Sequence, residues 1–82
     1  MMARDLGFRI VSVLRERSMS SVGNATVADL VAQLRASESD IRDNLLLLEI
    51  EGLVKEVSLF TGGSAYEITQ MGEAYVIRAG GS

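Results

Sequence analysis

The run from Leu45 to Val54 constrains this chain more than any other stretch. Leu45, Leu48 and Glu49 read as the closing turns of an amphipathic helix, Gly52 stops it, and Leu53-Val54 opens an apolar, β-prone segment. Glycine adopts positive φ without steric penalty, so a helix ending there can turn sharply out of its axis. A helix delivered directly into a strand, within a chain of 82 residues, leaves few layer arrangements that can cover both apolar faces.

The flanking segments supply the other elements. Leu6, Ile10, Val13 and Leu14 recur at three- and four-residue spacing, which predicts a first helix from about Arg4 to Arg17 with Phe8 and Val11 on its opposite side. Thr26 followed by Asp29 is a box-like N-terminal signal, and Val27, Leu30, Val31 and Leu34 form the stripe of a short second helix. Ala36-Ser37 makes the next turn. Ser37 caps a third helix whose early Glu38 and Asp40 suit the positive end of its dipole. Leu53 to Phe60 and Ala65 to Ile68 read as a hairpin around Gly62-Gly63-Ser64. Thr69 then caps a last helix with Met71, Ala74 and Tyr75 inward, and a further short strand is expected near Ala25. Residues 1–79 form one domain, with 80–82 as a flexible tail.

Composition narrows the chemistry. The chain has no cysteine and no histidine, which removes disulfides, thiolate chemistry and the commonest general base and metal ligand. No apolar run reaches the roughly eighteen residues of a membrane span, and Arg9 interrupts the only segment resembling a leader. A cytoplasmic protein is expected. Eleven acidic side chains outnumber eight basic ones, giving a net charge of −3, which lowers the expectation of nucleic-acid binding without excluding a local basic patch.

The order α, α, α, β, β, α, carried by Leu30, Leu34, Ser37, Ile41, Leu45, Leu48, Glu49, Gly52, Leu53 and Val54, resembles the winged-helix family. It is most similar to the bacterial and archaeal transcription regulators of the multiple-antibiotic-resistance type. Thr69 and Gly72 match that family's leucine-threonine-x-x-glycine step, with Ile68 in the leucine position. The resemblance spans roughly Thr26 to Val76. It implies an α+β fold: a three-helix core, a two-stranded β-hairpin wing and a short C-terminal helix. It also implies that the third helix enters the major groove of DNA while the wing touches the backbone. The match implies Glu38, Ser39, Arg42, Asp43 and Leu46 as the positions facing DNA, and among the polar and basic residues Ser39, Arg42, Arg35 and Lys55 are the DNA-contact candidates.

The residues on the third helix depart from that chemistry. With Ile41, Leu45 and Leu48 inward, about 100° of rotation per residue turns Asp43 straight outward, with Leu46, Leu47 and Ile50 beside it. Gripping DNA commonly means neutralising about six to ten phosphates, yet the wing from Ser58 to Ala65 holds no positive charge. Three aliphatic residues on one solvent face indicate a protein interface. The sequence therefore predicts a homodimer or protein contact formed by Leu46, Leu47, Ile50 and Asp43, extended by Phe8 and Val11 and by Val76 and Ile77. Burying the three aliphatic residues is worth roughly 5–8 kcal/mol per chain, against about 4–15 kcal/mol for association. A two-fold dimer doubles the gain to about 9–16 kcal/mol, so the third helix alone is borderline for a stable dimer and the outlying residues strengthen it.

Other groups have plainer readings. Glu38, Asp40 and Asp43 lack the partners of a metal or acid–base site and read as caps and solvated surface. Gly62-Gly63-Ser64 lacks the lysine and following helix of a phosphate loop. Tyr66 and Tyr75 read as core-edge aromatics. No cofactor, metal or catalytic residue is indicated, so a non-enzymatic module is expected.

Overall fold

A computed structural model describes residues 3–80. In chain order it has α1 (Ala3–Ser18), α2 (Val27–Leu34), α3 (Glu38–Ile50), β1 (Val54–Ser58), β2 (Ser64–Ile68) and α4 (Gln70–Gly80). The expected order holds. Gly80, expected in the tail, is instead the last residue of α4; Gly81 and Ser82 lie outside the described residues.

Each boundary has a local cause. The Thr26 hydroxyl accepts from the Asp29 amide at 3.0 Å, and the Asp29 carboxylate accepts from the Thr26 amide at 3.1 Å, which closes a reciprocal capping box on α2. The first of these contacts to act on its acidity, the hydrogen bond from the Thr26 backbone, holds the Asp29 carboxyl below its ordinary pKa; burial opposes this, and Arg17 at 3.5 Å assists. Ser37 caps α3 by accepting from the Asp40 amide at 3.1 Å. At the other end of α3 the Gly52 amide donates to the Glu49 carbonyl and the Leu53 amide to the Leu48 carbonyl, with Gly52 at φ +82°. This paired arrangement satisfies carbonyls that a helix end otherwise leaves open, and it aims Leu53 back into the core.

The strands pair antiparallel from Val54 opposite Ile68 to Ser58 opposite Ser64. The short third strand is a single pairing: the Ala25 amide donates to the Tyr66 carbonyl at 3.0 Å and the Tyr66 amide to the Ala25 carbonyl at 2.8 Å. One core joins the elements, with Ile10, Val11, Leu14, Leu30, Ile41 and Leu45 at its centre.

Two expectations about helix faces are corrected. Val11 was placed on the outer side of α1, but it is 0% exposed. The stripe of α1 is wider than a three-four repeat because α2, α3, α4 and β2 all pack on it, so two adjacent columns are covered. On α4 the inward residues are Gly72 and Val76, with Tyr75 partly buried, whereas Met71 and Ala74 face outward. Val76 therefore belongs to the core and not to an outer patch.

Candidate interface on the third helix

Helix α3 divides cleanly. Ile41, Leu45 and Leu48 are buried, and the opposite side carries Leu46 at 58%, Leu47 at 58% and Ile50 at 73% exposure, with Asp43 exposed among them. Spacing of i, i+3, i+4 and i+7 aligns Asp43, Leu46, Leu47 and Ile50 in one stripe. Met71 extends it: its sulfur lies beside Gly52, and its side chain is exposed.

The charges around the stripe are mostly negative. Within Glu38–Ile50 four carboxylates face one guanidinium. That guanidinium, Arg42, donates from Nε to Glu38 at 2.8 Å. An exposed pair of this kind contributes only about 0.3–0.5 kcal/mol, so it opens easily, but Glu38 stays within reach and offsets the charge. Lys55 stands 3.8 Å from Glu67 across the hairpin. Of the cations proposed for DNA contact, Arg35 alone has no ion-pair partner among the described residues. It occupies the left-handed turn after α2 at φ 57°. Ser39 is exposed on the first turn of α3.

Of the two α1 residues expected at the interface, Val11 is withdrawn from it and Phe8 is only partly covered. Val11 is in the core, and Phe8 is half-buried, its ring meeting Tyr75 edge-on at 6.1 Å between centroids. Ile77 remains exposed beside them. Tyr66 and Tyr75 are packed against the core edge. The Tyr66 phenol is raised above its ordinary pKa, chiefly by burial and then by Glu56 and Glu49, with Arg42 opposing.

One exposed residue escaped the sequence reading. Phe60, assigned there to the first strand, lies past the end of β1 and is fully exposed at the wing tip. The Gly62 and Gly63 pair, both at positive φ, closes a wider turn than a two-residue loop, with Leu59 bonded to Gly63 across it. The loop thus begins before Phe60.

No protein-family model matches the chain, and no curated protein does. Among solved structures it is similar to the transcriptional regulator BldR from Sulfolobus solfataricus, at 22% identity and TM-score 0.78 over 90% of this chain and 50% of that one. It is similar to a variant of ZitR from Lactococcus lactis, at 16% identity and TM-score 0.77 over 90% and 48%. A MarR family transcription regulator matches at 26% identity and TM-score 0.69 over 89% and 48%. The chain therefore spans about half the length of each of these relatives. With its four helices and antiparallel hairpin, it has the winged-helix fold of the MarR-type transcription regulators.

Proposed function

We propose that this is a non-enzymatic, cytoplasmic winged-helix module of regulator type whose α3 face docks a protein in place of reading DNA. The observation that carries this reading is the outward stripe of Leu46, Leu47 and Ile50 around Asp43. Apolar side chains gain by leaving water, whereas Asp43 repels phosphate, and a fold shared with DNA-binding regulators does not fix what the site binds. No described helix is long and apolar enough to cross a membrane.

The size of the gain sets the strength of the contact. The three residues are each roughly two-thirds exposed, so full burial is worth roughly 3–6 kcal/mol. The partner's own buried apolar surface adds to this, against an association cost of about 4–15 kcal/mol. The stripe supports a modest, reversible contact that needs help from charge or further apolar surface.

The second reading is DNA binding through Ser39, Arg42, Arg35 and Lys55, favoured by the likeness to transcription regulators. A fluorescence anisotropy titration with random-sequence duplex at low salt separates the two. Docking predicts no micromolar binding; micromolar binding with a steep salt slope is the signature of phosphate contact and would replace the protein-docking reading.

A further inference from the structure

Resting on that reading, we infer that the occupant of the α3 face is a basic amphipathic helix of another protein and not a second copy of this chain. The argument is charge complementarity around an apolar ridge. By helical rotation Asp40 and Glu51 border the stripe on one side and Glu49 and the Arg42–Glu38 pair on the other, with Asp43 inside it. Among the charged residues of this border Arg42 alone is cationic, and Arg42 is offset by Glu38. A second copy would set this acidic surround against itself, a repulsion that salt screens only in part at contact distances shorter than the Debye length of about 8 Å. Self-pairing would also go without Val11 and Val76, which are core residues.

A helix suits the shape. A ridge spaced i, i+3, i+4, i+7 meets the same spacing on a facing helix. Across the Arg42–Glu38 pair from the ridge, between α2 and α3, lies an open depression of about 330 Å³ lined by Val27, Ala28, Val31, Ala32, Glu38 and Arg42. It offers a seat for one large apolar anchor of the partner. Leucines along one stripe would cover Leu46, Leu47 and Ile50, and flanking lysines or arginines would meet Asp40, Asp43, Glu49 and Glu51. The same acidic surround disfavours an anionic lipid surface.

The test uses a labelled amphipathic helical peptide of leucine and lysine, and its counterpart with glutamate in place of lysine, titrated with the whole chain by anisotropy. The lysine peptide is expected to bind at micromolar concentration and to weaken at least tenfold at high salt, while the glutamate peptide fails to bind. Asp43→Lys with Glu49→Lys, and separately Leu47→Lys with Ile50→Lys, are each expected to weaken binding about tenfold. Glu16→Lys on α1, away from the face, should leave it unchanged; a circular-dichroism melt verifies that each variant folds. Equal binding of both peptides, or an equal loss in Glu16→Lys, overturns the inference. Concentration-dependent self-association in sedimentation, abolished by Leu47→Lys with Ile50→Lys, also overturns it but leaves protein docking intact. Tight duplex binding removes both.

Discussion

Gly72 packs directly beneath the carbonyl of Leu53, so closely that a Cβ at position 72 would occupy the space of that oxygen and press on Ile68. The same carbonyl accepts the Thr69 amide at 3.1 Å. The Thr69 hydroxyl donates to the Gly52 carbonyl at 2.6 Å and accepts from the Gly72 amide at 3.0 Å. Thr69 and Gly72 thus fasten the start of α4 to the turn that leaves α3, and this fixes where the α3 face stands relative to the wing.

Gly72→Ala is expected to destabilise the domain by about 1–3 kcal/mol, the usual range for overpacking, although alanine is the better helix former. Thermal denaturation measures it. A variant as stable as the parent would show that α4 can move away from Leu53.

Thr69→Val removes the hydroxyl at nearly constant shape. It leaves the Gly52 carbonyl and Gly72 amide without their shared partner, and a loss of about 1–2 kcal/mol is expected. Thr69→Ser should retain most of the stability in the same denaturation assay.

Asp29 gives a pH dependence of definite sign. Its folded pKa lies below the ordinary aspartate value of 3.8, so its contribution is present above that value and lost as the pH falls through the folded pKa. Urea midpoints measured from pH 6 down to about 2 should decline less steeply in Asp29→Asn than in the parent. Tyr66 acts at the opposite end. Its raised pKa adds stability that persists below the ordinary tyrosine value of 10.0 and disappears as the pH rises through the folded value, a loss that Tyr66→Phe should remove.

Val11 and Leu47 distinguish core from surface. Val11→Ala opens a cavity beside Ile10 and Leu14 and should cost about 1–3 kcal/mol, whereas Leu47→Lys, on the exposed side of α3, should stay within about 0.5 kcal/mol of the parent. Equal losses in the two variants would mean that Leu47 is covered within the monomer.

The element order was legible because its punctuation is chemical: Thr26, Ser37, Gly52 and Thr69 each act through a specific backbone amide or a positive φ that few residues tolerate. The α3 face was legible for a related reason, since one buried column, Ile41–Leu45–Leu48, fixes where every other side chain points. The faces of α1 and α4 were not. Helix α1 is covered by several elements, and nothing in its own periodicity reveals how many neighbours it will have, so Val11 appeared outward. In the first turn of α4 a glycine, Gly72, occupies an inward position because Leu53 approaches too closely for any side chain. Hydrophobic pattern cannot register a residue selected for having none. Phe60 was misplaced because strand propensity outweighed the demand of a wider glycine turn.

The most direct test is an amide NMR titration of the isotope-labelled chain, with the leucine–lysine peptide in one series and random duplex in the other at low salt. The account predicts that the peptide shifts Asp43, Leu46, Leu47 and Ile50 while the duplex leaves the spectrum unchanged. Duplex-induced shifts at Ser39, Arg42 and Lys55, with the peptide silent, would contradict it.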